Sequence, residues 1–243
     1  MKESKSYLPF SLLRVLIIAG CIWFLIFKYN SEHPKAEWDS SPDNVVISFE
    51  PGIGEIDYGY IPDFRIWGDG HIVWVEHDSD YTRMVFEGYL SQYSLKELIG
   101  KFVDAGFFNW FKYGGSSVSS IRIKLLNHDQ LNVLVANKEL LELVDYLKSG
   151  AGVSGKEFVP TVGHLYVFPF TETEYTNLNV TPYLWAVDRF EYVLEDFDKN
   201  YPTGKEITGD ELDLVWQIVN RSSVIESNGK RYWIALEIPK ITN

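Results

Sequence analysis

The residues best suited to acid–base chemistry lie in and just after one predicted β-hairpin. Asp69, His71 and Asp78 occur close together in the sequence, and a histidine within reach of carboxylates can act as a general base. If these residues converge with an acidic side chain from the second lobe, they would form the active site of a hydrolase. His71 and His77 would lie on one face of a strand but about 20 Å apart, which is too far for a shared metal ion.

Two other segments resemble ligand-binding loops, and each lacks a required residue. Residues 150–157 match a phosphate-binding loop until Glu157, which replaces the hydroxyl residue that binds magnesium, and the segment does not follow a predicted strand. Residues 196–200 have the oxygen spacing of a calcium loop, but Tyr201 and Ile207 replace its glycine and its bidentate glutamate. We interpret the first segment as a connector and the second as an acidic turn, with a looser calcium site as the alternative.

No convergent set of catalytic residues, metal ligands or cofactor-binding motifs is evident. We therefore expect no cofactor, and we favour a protein that is not an enzyme over a hydrolase with dispersed acid/base residues or a structural spacer. The densest aromatic cluster spans residues 107–113. Most of it should pack under the preceding helix. Alternatively, Trp110, Phe111 and Tyr113 form a recognition surface for an envelope protein or a glycan.

Cys21 is the only cysteine, which excludes an intramolecular disulfide and a cysteine-clustered zinc site. Ile18-Ala19-Gly20-Cys21 matches the signal-peptidase box of bacterial lipoproteins, in which the cysteine is lipidated. However, the chain remains apolar through Phe27, where a lipidated end would continue with small polar residues. We therefore predict an uncleaved membrane anchor, with a lipoprotein as one alternative and a buried or interfacial helix as another.

The segment from Leu8 to Lys28 has no polar helical face, which indicates a membrane span. It reaches about 20 residues if Arg14 extends its guanidinium toward the headgroups. Basic residues precede the apolar run and favour a cytoplasmic N-terminus. We accordingly expect a single-pass protein of the cell membrane whose C-terminal domain is extracytoplasmic.

Charge is unevenly distributed along the chain. The first 28 residues contain four basic residues and one acidic residue, for a net charge of +3. The other 215 contain the remaining 18 basic and 33 acidic residues, for a net charge of −15. A body this acidic repels phosphate groups, so the sequence argues against nucleic acid as a partner.

Composition divides the chain into an N-terminal anchor and two α+β lobes. Residues 1–29 form the anchor and residues 30–44 a polar linker with two prolines. Residues 45–148 and 156–243 form the lobes. The small residues of 149–155 form a flexible connector between them. The two lobes could also form one domain.

Alternating apolar residues and turn signals predict antiparallel hairpins. The clearest joins residues 61–67 to 71–77 across Gly68-Asp69-Gly70, and a third strand follows at 84–90. We expect another across Asn228-Gly229 and one across residues 127–129.

Apolar residues at helical spacing predict amphipathic helices at about 94–106, 138–148 and 208–219. Capping boxes, Ser94 with Glu97 and Thr208 with Glu211, should start the first and the last. Helices segregated from antiparallel hairpins define an α+β fold.

One part of the chain carries a recognisable pattern of motifs. Pro62 leads into Gly68-Asp69-Gly70, a strand ends near Gly88, and an amphipathic helix at 95–102 closes on Gly106-Phe107-Phe108. Residues 61–108 thereby resemble a small, uncharacterised family of bacterial envelope proteins, membrane-anchored or lipoprotein-like. The resemblance implies a secreted or anchored module and no known activity. Our leading hypothesis is a non-catalytic binding module of the cell envelope.

Overall fold

The computed structural model describes residues 10–50, 61–79, 82–109, 120–133, 137–169, 183–184, 194–197, 203–222 and 224–242. Within them the helices are α1 (Phe10–Glu32), α2 (Gln92–Asp104), α3 (Lys138–Lys148) and α4 (Gly209–Val219). The strands are β1 (Val45–Glu50), β2 (Phe64–Trp67), β3 (His71–His77), β4 (Arg83–Tyr89), β5 (Ser120–Leu125), β6 (His128–Val133), β7 (Lys156–Glu157), β8 (Gly163–Pro169), β9 (Tyr183–Leu184), β10 (Lys205–Ile207), β11 (Val224–Ser227) and β12 (Lys230–Glu237). The predicted α+β class is confirmed.

Seven strands form the first sheet, in the order β6-β5-β1-β2-β3-β4-β7 and antiparallel throughout. Its centre is the predicted hairpin of β2 and β3 around Gly68-Asp69-Gly70. Gly70 has a φ of 93°, which favours glycine, and Asp69 Oδ1 accepts a hydrogen bond from the backbone N–H of His71.

Five strands form the second sheet, in the order β10-β8-β12-β11-β9. Asn228 and Gly229 join β11 to β12 with φ values of 50° and 72°, the two positive values that an Asn-Gly hairpin turn requires. Strand β9 pairs with β11 in parallel, and the other described pairs are antiparallel.

The first sheet is buried on both faces at its centre, where all four residues of β2 are buried. Ile72 and Trp74 belong to the core that α2 and α3 cover, whereas Val73 and Val75 belong to the core shared with the second sheet and α4. This alternation follows from the two-residue period of a strand. The second core includes residues from both sides of the connector expected at 149–155.

Residues 34–44, which we call the strap, contact the folded body although the sequence suggested a free polar linker. Trp38 Nε1 donates a hydrogen bond to the carbonyl oxygen of Gly68 at 3.0 Å, and the backbone N–H of Gly68 donates to the carbonyl oxygen of Asn44 at 2.8 Å. Farther along the sheet, the N–H of Leu126 donates to the carbonyl oxygen of Glu37. The strap is therefore hydrogen-bonded to two turns of the first sheet.

Segment 149–155, expected as a flexible connector, packs against the indole of Trp74. A Cβ atom on Gly155 would lie 2.1 Å from that ring, and one on Gly150 would lie 2.6 Å from it. These glycines therefore permit close packing against the ring. Strand β7, directly after the segment, pairs with β4 and continues the first sheet.

Three local predictions were wrong. The capping box at Ser94 does not form, because α2 begins at Gln92 and its cap is Ser91, whose Oγ accepts from the Ser94 N–H. Thr208 precedes α4 without capping it through a side-chain hydrogen bond. The turn predicted at 127–129 lies one residue earlier, and His128 begins β6.

Helix α1 contains the apolar segment that the sequence indicated. Residues Val15–Glu32 are long and apolar enough to cross a membrane, a test that a signal sequence also passes, and none of this stretch is buried in the body. Trp23 is 68% exposed and Leu25 63%. Such exposure of large apolar side chains is unfavourable in water.

Candidate functional site: the His71 cleft

Only some of the candidate residues suggested by the sequence lie in the described part of the structure. Trp110, Phe111 and Tyr113 lie outside the described residues, whereas Phe107 and Phe108 of the same cluster are buried in the core. Cys21 lies exposed on α1. Of the calcium-loop candidates, Asp196 is exposed and residues 198–201 lie outside the described part. Among the described residues, no three His, Cys, Asp or Glu side chains are grouped to hold a metal ion.

The proposed grouping of Asp69, His71 and Asp78 is not formed. The Asp69 carboxylate binds the backbone of His71, and Asp78 Oδ1 accepts from the backbone N–H of Thr82 beyond the opposite end of β3. The His71 ring instead contacts Glu87 on β4, with 3.1 Å between Nε2 and Oε2. The sequence analysis missed Glu87.

Strand register brings Glu87 between two basic side chains. His71 pairs with Tyr89 and Val73 with Glu87 across β3 and β4, so Glu87 and His71 point to one face as diagonal neighbours. Glu87 also pairs with Lys156 of β7, whose Nζ lies 2.9 Å from the second carboxylate oxygen. Both oxygens of the carboxylate are therefore occupied.

The electrostatics favour an ionised Glu87. Burial raises the pKa of this carboxyl group, but hydrogen bonds and charge from Lys156 and His71 together outweigh burial and hold the pKa below its ordinary value of 4.5. In turn, the carboxylate raises the pKa of the exposed Lys156. The site therefore presents an ionised carboxylate, paired with the exposed Lys156, beside an imidazole.

A row of aromatic rings crosses the same face. The His71 ring lies between Trp67 and Tyr89, with centroid separations of 4.9 and 5.0 Å. Trp67 is 2% exposed and Tyr89 is 65% exposed, so the row runs from the core to the surface. Contacts on both sides fix the plane of the imidazole.

A cleft of about 320 Å³, the His71 cleft, opens beside Trp67, His71 and Glu87. Its other walls come from the strap and from two loops. The described residues that line them are Pro42, Phe158, Val159, Pro160, Thr161, Val162, Ile238, Pro239, Lys240 and Ile241. The cleft is thus mostly apolar, with charged groups at Glu87 and Lys240.

Buried Arg65 holds the C-terminal wall of the cleft. Its Nη1 donates to the carbonyl oxygens of Lys240 at 3.3 Å and Ile241 at 3.1 Å. The Thr242 hydroxyl closes the same turn by accepting from the N–H of Ile238. Hydrogen bonds from a charged donor are stronger than neutral ones, so this wall is fixed to β2.

No family model, curated protein or solved structure matches the chain. The resemblance of residues 61–108 to an envelope family therefore stays a prediction. The function of the site is therefore inferred from its own residues and their geometry. It offers an apolar cavity, a positioned imidazole and an ion-paired carboxylate.

Proposed function

We propose that this chain is a membrane-anchored extracytoplasmic protein whose body binds, without catalysis, a basic and apolar segment of another envelope protein. The observation that carries this proposal is the His71 cleft, in which an apolar cavity ends at a charged Glu87. An apolar pocket with a few converging polar groups is the usual form of a ligand site.

Helix α1 supports the membrane part of this proposal. From residue 15 onward its large apolar side chains are exposed, and none of Val15–Glu32 is buried against the body. Lys2, Lys5 and Arg14 precede the uncharged run, which favours a cytoplasmic N-terminus and an exported body.

Two measurements test the anchor and separate its alternatives. The full chain should remain in the membrane pellet during alkaline carbonate extraction, and a reporter fused to the C-terminus should be active only outside the cytoplasm. Cys21→Ser should leave the mass of the membrane-bound chain essentially unchanged for a helical span, whereas for a lipoprotein it should block lipidation and cleavage before residue 21 and so change that mass. Release of the intact wild-type chain into the soluble fraction would contradict the proposal of a membrane anchor.

Charge complementarity supports a basic partner. The 215 residues after Lys28 carry a net charge of −15, and a field of this sign attracts cations and repels anionic polymers. The prolines and aliphatic side chains of the walls suit an extended segment with apolar side chains. A cationic side chain of that segment would be oriented toward Glu87, whose two carboxylate oxygens can each accept a further hydrogen bond beside His71 and Lys156.

Hydrolysis is the second candidate, and one observation favours it. His71 is oriented by a carboxylate at 3.1 Å beside a cleft, as a general base would be. However, Glu87 is shared with Lys156, and Thr161 is the only hydroxyl-bearing side chain among the described lining residues. Binding therefore fits the geometry better.

Fluorescence anisotropy would test the cleft with the full chain in lipid nanodiscs. The probe is a labelled peptide of alternating leucine, proline and arginine, compared with a version that carries glutamate in place of arginine. The basic peptide should bind more tightly, and added salt should weaken its binding. Equal affinity for both peptides, or no binding of either, would contradict the proposal.

Matched variants locate the binding on the chain. Val159→Asp places a charge in the apolar wall at a residue that is 57% exposed, so it should remove binding without unfolding the body. Leu131→Asp makes the same kind of change on β6, outside the cleft residues, and should leave binding unchanged. If His71→Ala abolishes hydrolysis of a peptide or ester probe, the second candidate replaces the first.

A further inference from the structure

A second cleft, of about 260 Å³, lies where the end of β4, the start of α2 and the 151–153 segment meet. We call it the tyrosine cleft. Its volume is slightly below the usual range for drug-sized ligands, which begins at about 300 Å³. Such an open cleft suits one short unit of a longer chain better than an enclosed small molecule.

Two tyrosine rings line this cleft and are accessible. Tyr89 is 65% exposed and Tyr146 is 42% exposed, so a ligand can reach both side chains. Gly152, at a φ of 74°, makes room for Tyr146, since a Cβ atom there would lie 3.0 Å from the phenol oxygen. Lys101 Nζ lies 5.7 Å from the Tyr146 ring centroid. The absence of a side chain at Gly152 thus allows the Tyr146 ring to lie against the backbone at the surface.

The polar groups of the cleft can both donate and accept hydrogen bonds. Ser91 and Ser94 have their hydroxyl oxygens 2.8 Å apart, and either can be the donor. Glu97 accepts from the hydroxyl of Tyr93, and Lys101 supplies a cationic donor. Glu97 and Lys101 cancel in charge, so the cleft has many hydrogen-bonding atoms and no net charge.

We propose that the tyrosine cleft binds a neutral oligosaccharide. Sugar rings with equatorial hydroxyl groups present an apolar C–H face, which packs on tyrosine rings, and an edge of hydroxyl groups, which matches hydroxyl, carboxylate and ammonium partners. Anionic polymers are disfavoured by the net negative charge of the body. This site uses residues outside the 107–113 cluster. Tyr89 also contacts His71 of the other cleft, whereas Tyr146 lines the tyrosine cleft only, so Tyr146 carries the separate test.

Calorimetric titration of the full chain in lipid nanodiscs, prepared without sugar-containing detergent, tests this proposal. The probes are chitotetraose and cellotetraose, both neutral and β-linked. At least one should give a saturable heat at millimolar concentration. Loss of one stacking ring should weaken binding about 3- to 10-fold, as expected for a single aromatic contact.

Variants then distinguish the site from the rest of the surface. Tyr89→Ala and Tyr146→Ala should each weaken binding, whereas Tyr89→Phe, which keeps the ring, should retain most of it. Val159→Ala, in the His71 cleft, should bind as the wild type does. Saturation-transfer NMR should place the C–H face of the sugar against the protein. No heat from either probe, or unchanged affinity in both alanine variants, would overturn the proposal.

Discussion

Replacing Gly68 with alanine should detach the strap from the body. The backbone of Gly68 is not in the left-handed region, so alanine is acceptable conformationally. However, its Cβ atom would lie 1.9 Å from the carbonyl oxygen of Asp39, and also within 3 Å of the Ser41 carbonyl oxygen. These are backbone atoms of the strap, which cannot rotate away as a side chain can.

The magnitude follows from the contacts that would be lost. The strap must move by more than an ångström, which breaks the hydrogen bonds from Trp38 Nε1 and to Asn44 that Gly68 makes. At about 1 kcal/mol for each bond, docking weakens by roughly 2 kcal/mol. The open population should then rise about 30-fold, and the melting temperature should fall by about 4–8 °C if the strap docks as part of the cooperative unit.

Limited proteolysis measures the opening directly. Trypsin cleavage after Lys35, followed by mass spectrometry, should accelerate about 30-fold in Gly68→Ala when opening is fast relative to cleavage. Gly100→Ala is the matched control, because the position is helical and no atom beyond the adjacent backbone of α2 lies within 4 Å of the added methyl group. Unchanged cleavage in Gly68→Ala would refute the assignment of the strap as docked.

Three further variants test the core and the cleft. Glu87→Gln should lower the melting temperature at neutral pH by the equivalent of about 1 kcal/mol. The pKa of Glu87 in the folded protein lies below its ordinary value of 4.5, so the ionised carboxylate stabilises the fold above pH 4.5 and loses this effect as the pH falls through the folded pKa. The difference in melting temperature between the variant and the wild type should therefore disappear in acid. A gap that persists in strong acid would contradict this assignment. Gly155→Ala should cost about 1–3 kcal/mol in urea unfolding, because its methyl group overlaps the Trp74 indole; wild-type stability would show that this segment is free. Arg65→Met should increase hydrogen exchange near residues 238–242 and weaken peptide binding, since its guanidinium holds that wall; unchanged exchange would show that the wall is held otherwise.

The sequence was sufficient for elements whose signals are local. Gly70 and Asn228-Gly229 specify their hairpins because they supply positive φ angles that few other residues adopt. Helix α3 follows from its apolar stripe and forms over the predicted residues 138–148. The capping box at Ser94 failed because Ser91 also stands before α2, and the path of the chain out of β4 places Ser91 at the cap. At α4 Thr208 does occupy the cap position, but its hydroxyl makes no capping hydrogen bond.

Glycine and polar composition were misleading for a physical reason. Gly150 and Gly155 suggested flexibility, but glycine also permits a ring to pack against the backbone, and only the fold shows that Trp74 does so. The strap was similarly judged by its polar residues, although Trp38 was a signal that one part of it is docked.

Glu87 could have been found from the sequence by one further step. Once β3 and β4 are paired so that His71 faces residue 89, the residue two positions earlier on β4 must share a face with His71. Lys156 could not have been found this way. Strand β7 has only two residues, and its pairing depends on the packing of the preceding segment against Trp74.

The strap connects the proposed anchor to the proposed binding site. Trp38 is fixed at Gly68 only six residues after the end of α1 at Glu32, so a fully extended chain spans at most about 20 Å between them. In the proposed arrangement, the β2–β3 turn and the adjacent His71 cleft therefore lie close to the bilayer. A partner must then present its basic segment near the membrane.

The same segment is also a wall of that cleft. Pro42 lines it, and Asp43 forms an ion pair with Lys240 on the opposite loop. Detaching the strap would thus open one side of the binding site and lengthen the segment that connects α1 to the body. Binding and strap docking must therefore stabilise each other, because any ligand that contacts Pro42 favours the docked state by the same free energy with which docking favours the ligand. A basic peptide that binds the His71 cleft should accordingly slow cleavage after Lys35, and its protection should be lost in Gly68→Ala.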